Sequence, residues 1–93
     1  MRLDKYLWFT RLTKTRSLAQ EIAEAGHMRI DGRRIERAHA AVHVGNVLSF
    51  ALHGRVRVIR IEALPERRGP APEAQSCYTD LSPPPVDAAR AAT

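Results

Sequence analysis

Ninety-three residues carry fifteen Lys and Arg against ten Asp and Glu, net +5, which fits one small basic domain rather than two. The charge is uneven: residues 1–60 hold twelve basic and five acidic side chains, net +7, while residues 61–93 hold three basic and five acidic, net −2. No apolar run approaches a membrane span, Arg2, Asp4 and Lys5 interrupt any apolar leader, and a lone Cys77 leaves no intrachain disulfide or Cys-based zinc site.

The expected setting is therefore the cytoplasm. The expected partners bear phosphate, because each neutralised phosphate releases condensed counterions. Thirteen of the fifteen cations are Arg, whose planar fork binds phosphate and stacks as Lys cannot.

In chain order, a first helix is expected from Leu3 to about Thr10. Leu3, Tyr6, Leu7 and Thr10 share one stripe at i, i+3, i+4, i+7 and should face a core. Asp4 sits in the first turn, where a carboxylate favours the helix dipole. Leu12–Lys14 connect to a second helix, Arg16–Ala25, with Thr15 as its N-cap and Gly26 where a helix-ending residue with positive φ belongs. Its apolar stripe is Leu18, Ile22 and Ala25.

His27–Ile30 alternates as a half-buried strand should, and Asp31-Gly32 is a hairpin signal into Arg33–Ile35. Glu36–Val44 reads as a loop with Val42 and Val44 tucked inward. Val47–Leu52 is a strand with Leu48, Phe50 and Leu52 on one face, and His53-Gly54 turns it back. In the last strand, Arg55–Leu64, the alternation changes phase between Val58 and Ile59, which calls for a bulge or for cover on both sides. All six prolines follow Leu64. Residues 65–93 are therefore expected to form a proline-rich tail, ordered only where it lies on the domain and disordered from about Ser82.

The fold expected is α+β: two short N-terminal helices packed on a small twisted antiparallel sheet, with an irregular proline-rich C-terminal tail. The domain proper is 1–64 and the tail 65–93.

Catalytic chemistry finds little support. His39 and His43 lie four apart, which suits a metal only on a helix, and no Asp, Glu or Cys stands nearby in a ligand pattern. Ser17, Thr15, Ser49 and Cys77 lack His–acid partners at recognisable spacing, and the five glycines are isolated rather than gathered in a phosphate loop. No metal, cofactor or active site is expected.

The basic residues form the stronger constellation. Arg2 and Lys5 come from the first helix, and Arg11, Lys14 and Arg16 surround the start of the second, whose free N–H groups can meet a phosphate beside the Thr15 cap. Arg33 and Arg34 follow the Asp31-Gly32 turn and are expected on the same side. Phosphate contacts of this kind fix position and carry little sequence information. Trp8 could stack on a base, but it is expected to pack on the sheet or beneath the C-terminal tail. Arg2 could pair with Asp4 instead of meeting a ligand.

Arg2-Leu3-Asp4-Lys5-x-Leu7, Lys14-Thr15-Arg16-Ser17, Ala19, Gly26 and Ile30-Asp31-Gly32 resemble, in order, the alpha-L RNA-binding motif of the ribosomal protein S-four type. Within it the chain is most similar to the ribosome-associated small heat-shock subgroup, through Leu3-Asp4-Lys5-Tyr6-Leu7-Trp8 with Arg11, the Lys14-Thr15-Arg16 triplet, and the stretch Arg67–Gln75 with Tyr78. The resemblance implies RNA lying against a basic helix pair, and the basic constellation supplies the expected contact set: Arg2, Lys5, Arg11, Lys14, Thr15, Arg16, Arg33 and Arg34. It further implies a non-catalytic protein that binds ribosomal RNA of the large subunit. The subunit would carry a stalled nascent chain on peptidyl-tRNA, and the protein would assist its recycling. The free protein is expected to be monomeric. The chain departs from the subgroup in its tail, which is proline-rich and acidic rather than long and basic. Two other readings of the sequence are a protein-interaction module working through the tail, and an RNA-binding accessory subunit of an RNA-modifying enzyme.

Overall fold

A computed structural model of the chain describes residues 1–82. Element order is α1 (Leu3–Phe9), α2 (Arg16–Glu24), β1 (Met28–Ile30), β2 (Arg33–Ile35), β3 (Val47–Leu52), β4 (Arg55–Ile61), α3 (Ala71–Gln75) and β5 (Tyr78–Asp80). The strands form one antiparallel sheet in the order β2-β1-β3-β4-β5.

The α1 stripe is buried as its spacing requires: Leu3, Tyr6, Leu7 and Thr10 have almost no exposed surface. They pack with Ala19 and Ala23 of α2 and with Met28, Leu48, Phe50, Ile59 and Ile61 of the sheet. Ala19 and Ala23 are small enough to let the helix backbone approach its neighbours. Thr10, at the C-cap of α1, keeps its buried hydroxyl satisfied by donating to the Tyr6 carbonyl at 2.7 Å.

The hairpin between β1 and β2 closes on Asp31 and Gly32 with φ of 52° and 82°, both in the left-handed region that a two-residue turn of this type requires. The Asp31 carboxylate then accepts from Val47 N–H (2.8 Å) and Asn46 Nδ2 (2.7 Å), which fastens the turn to the start of β3.

Several expectations need correction. The β3–β4 ladder runs unbroken from Val47↔Arg60 to Leu52↔Arg55, so no bulge re-aims β4. Its phase change has a simpler cause: Ile59 and Ile61 face the helices, whereas Val56, 54% exposed, stands where no helix covers the sheet. Val42 is buried, but Val44 is exposed, because a turn in which Asn46 Oδ1 accepts from His43 N–H carries it outward. The segment after Leu64 is only partly irregular. Pro70 stands at the N-cap of α3, and β5 pairs with β4 through Ile59↔Asp80 to Ile61↔Tyr78. This segment is held from beneath: the buried Tyr6 hydroxyl donates to the Cys77 carbonyl at 2.9 Å. Burial, reinforced by the nearby Cys77, Tyr78 and Glu62, raises the Tyr6 pKa, so the phenol stays a donor. The disorder expected beyond Ser82 lies outside the described residues.

Candidate nucleic-acid interface

Asp4 organises the basic surface. Its carboxylate has no exposed surface, yet every polar atom on it is engaged. Oδ1 accepts from Arg2 Nε (3.1 Å) and from Lys5 N–H (2.8 Å). Oδ2 accepts from an Arg2 terminal nitrogen (3.1 Å), Gln20 Nε2 (3.1 Å) and Arg16 Nε (3.4 Å). Burial would raise the Asp4 pKa, but the bonds from Gln20, Arg2 and the Lys5 amide, with the Arg2 charge, hold it below the usual carboxylate range. One buried anion thus aims two guanidinia from two helices, and each keeps an open side: the Arg2 side chain is 49% exposed and that of Arg16 39%.

The two helix starts differ. At α1 the first N–H groups are already used, because Leu3 donates to the Ala40 carbonyl (2.8 Å) and Asp4 to the Ala38 carbonyl (3.0 Å). At α2 the Thr15 hydroxyl accepts from Leu18 N–H (3.0 Å), which leaves the N–H groups of Arg16 and Ser17 at an exposed first turn. Lys14 and Thr15 are exposed beside it. An anion is therefore better served at α2, between the Arg16 guanidinium and the free amides.

The other expected contact residues are distributed differently from the sequence reading. Lys5 is exposed on α1, its ammonium 5.2 Å from the centre of the Phe9 ring. Arg11, with φ 60°, turns toward the C-terminal segment and donates from Nε to the Gly69 carbonyl at 2.6 Å. Arg68 returns the contact, donating from Nε to the Trp8 carbonyl (3.1 Å) with its guanidinium 5.8 Å over the Trp8 ring. Trp8 therefore lies under the C-terminal segment, half-buried. Arg34 reaches the C-terminal end of α2, where a Cβ on Gly26 would meet its guanidinium at 2.7 Å, and it pairs with Glu36 at 3.2 Å. Eight residue steps separate Arg16 from Glu24 at that end, about 12 Å along the axis. Arg33 and Arg34 thus sit at the far end of α2 instead of joining Arg16.

Asp4 and Gln20 are the residues that sequence reasoning missed. The available signal was position: Asp4 stands between the core residues Leu3 and Leu7, where a charge survives only with partners. Among the described residues no three His, Cys, Asp or Glu gather as metal ligands, and His39 and His43 lie on irregular chain rather than a helix. No helix there is long and apolar enough to cross a membrane.

The S4 domain family matches residues 1–48. The heat shock protein 15 homolog of Haemophilus influenzae is 38% identical over 80 residues, 86% of this chain and 60% of that protein. The RQC P-site tRNA stabilizing factor of Bacillus subtilis is 33% identical over 81 residues, 87% of this chain and 92% of that protein. A trimeric structure of Vibrio cholerae heat shock protein 15 superposes with a TM-score of 0.80 at 36% identity, covering 87% of this chain and 81% of that one. The chain spans about 60% of the length of the heat shock protein 15 relatives it matches.

Proposed function

As the chain belongs to the S4 domain family, we propose that it is a non-catalytic, ribosome-associated RNA-binding protein of the cytoplasm. Its contact surface is centred on Arg2, Lys5, Lys14, Thr15 and Arg16, with Arg11, Arg33 and Arg34 at the margins. The observation that carries this reading is the pair of guanidinia fixed by buried Asp4 next to the open first turn of α2. Two oriented forks and two free amides suit phosphates of a folded RNA, read by shape rather than by base sequence. The RNA-binding unit is residues 1–64, braced by the segment that follows.

The proposed target is RNA of the large ribosomal subunit, in a state that carries peptidyl-tRNA, where the protein assists rescue of a stalled nascent chain. The names of the relatives support that choice: one is a P-site tRNA stabilizing factor, others are heat shock proteins. Crosslinking in cells followed by sequencing of bound RNA tests it, and large-subunit RNA should be enriched. A salt titration tests the interface. Affinity should fall steeply with salt, and Lys14→Ala with Arg16→Ala should flatten the slope by about one unit for each phosphate that is no longer neutralised. Affinity indifferent to salt would remove the phosphate reading.

A further inference from the structure

The N-terminal strip does more than start α1. Met1 to Asp4 runs antiparallel to Ala38–Val42: Val42 N–H donates to the Met1 carbonyl (2.8 Å), and Leu3 and Asp4 N–H donate to Ala40 and Ala38. Arg2 and Ala41 form a bridge within this ladder. Ala40 and Ala41, together with Ile35 of β2, floor a groove on the far side of that strip. The groove opens both ways, and its larger recess is about 580 Å³. It therefore adjoins the Arg2–Asp4–Arg16 cluster, with one bridge of backbone between them.

The walls of the groove carry guanidinium and imidazole groups. Arg34, Arg37 and His39 stand at one mouth, Arg33 and His43 at the other. The two acids there are both engaged, Glu36 by Arg34 (3.2 Å) and Asp31 by Asn46 and Val47. Arg33 and Arg37 have no ion pair among the described residues. Strand β2 forms an edge of the sheet, and no neighbouring strand covers its outer side. The pairing across the two-residue turn makes Ile30↔Arg33 and Met28↔Ile35 the hydrogen-bonded pairs, so the Arg34 N–H points outward into the groove. No aromatic residue lines the floor.

We infer that this groove carries a second run of RNA backbone, continuous with the helix-pair site across the Arg2–Ala41 bridge, and that Arg37, His39 and His43 are contact residues for its phosphates. The inference rests on the RNA-binding reading above and extends it. The chemistry is that of a sugar–phosphate strand: guanidinium and imidazole donors on the walls, a backbone N–H at the edge, and an aliphatic floor that offers no base-stacking platform. The strand is held by charge and hydrogen bonding rather than by base recognition.

The test uses the full chain and two probes, a blunt RNA hairpin and the same hairpin with a single-stranded uridine extension. For the native protein the extension should raise affinity and steepen the salt slope, by about 0.7 unit per single-strand phosphate engaged. The triple variant Arg37→Gln, His39→Gln, His43→Gln should bind the blunt hairpin as before and lose most of that gain. All three side chains are exposed, and a thermal melt checks the fold. If the triple variant melts early, the single variant Arg37→Glu replaces it and should lose at least as much of the gain. A gain that survives in these variants, or no gain in the native protein, overturns the groove as an RNA track. So does polyglutamate that competes for the extension but not for the blunt hairpin, since the groove would then be a site for acidic protein. Failure of the native protein to bind even the blunt hairpin would instead remove the underlying RNA-binding reading.

Discussion

The Arg16 guanidinium reaches back twelve residues to the Asp4 carboxylate, Nε to Oδ2 3.4 Å, across the junction of two helices. The bond joins an exposed cation on α2 to a fully buried anion on α1. Packing of the helix pair and orientation of the basic surface are therefore one event.

Asp4→Asn keeps the shape and removes the charge. Because both arginines are well exposed, screening limits the loss to about 1–2 kcal/mol, the net worth of a charge-assisted hydrogen bond near the surface. Denaturant titration should show that loss. RNA affinity should fall further than with Gln20→Ala, since Arg2 and Arg16 are both released. Equal affinities for the two variants would mean that Asp4 does not orient the contact surface.

Acid should loosen the fold through the same residue. The folded pKa of Asp4 lies below its unfolded value, so the stabilisation is fully present above the unfolded pKa of about 4 and is lost as pH falls through the folded value. Glu62, lowered by bonds from Thr79 and Arg60, and Asp80, lowered by bonds from Ser82 and the nearby Arg57, act in the same direction at the β4–β5 edge. Melting temperature measured downward from pH 6 should hold until about pH 4 and then drop. Asp4→Asn should reduce the drop; a variant with the native acid dependence would count against Asp4 as a contributor.

Arg2→Lys should not be conservative. Arg2 holds Asp4 with two nitrogens at 3.1 Å, a fork that an ammonium cannot reproduce. RNA affinity should fall several-fold although the net charge is unchanged. Native affinity for Arg2→Lys would show that Arg2 acts only as a point charge.

Tyr6→Phe removes the one bond that joins the middle of α1 to the chain 71 residues later. It leaves the Cys77 carbonyl without its phenol partner, at a cost of about 1–2 kcal/mol. Cys77→Ala should cost less, because that bond uses the backbone. Chemical denaturation of the two variants should rank them in this order.

Arg68→Ala should free the lone tryptophan. Its guanidinium covers the Trp8 ring and its Nε holds the Trp8 carbonyl. Trp8 emission should move to longer wavelength and become easier to quench with iodide. An unchanged spectrum would mean that Arg68 does not shield the ring in solution.

Much of this fold is readable from local pattern. The stripe of Leu3, Tyr6, Leu7 and Thr10, the Thr15 cap and the Asp31-Gly32 turn each act within a few residues, and each places its element correctly. What local pattern cannot carry is pairing at long range. Strand β5 exists because β4 offers an open edge to Tyr78–Asp80, and nothing in those three residues announces it. The same holds for the basic surface. Residue type alone puts Arg11 and Arg34 beside Arg16, but the Gly69 carbonyl draws one away, and Arg34 lies against Gly26 at the other end of α2. Asp4 reads as a helix-start charge until the tertiary fold buries it among the side chains of Arg2, Arg16 and Gln20 and the Lys5 amide.

The Tyr6–Cys77 bond has a consequence for how the protein is made. The first helix precedes residue 77 in synthesis, and its central side chain finds its native partner only when residue 77 has been added. Its starting amides wait for Ala38 and Ala40. A growing chain therefore carries Arg2, Lys5 and Arg16 before the bonds that brace their surface can form. Pairings of such sequence separation close late. The helix that starts the basic surface is thus made before the chain that braces it, and a chain cut before residue 77 would lack that brace.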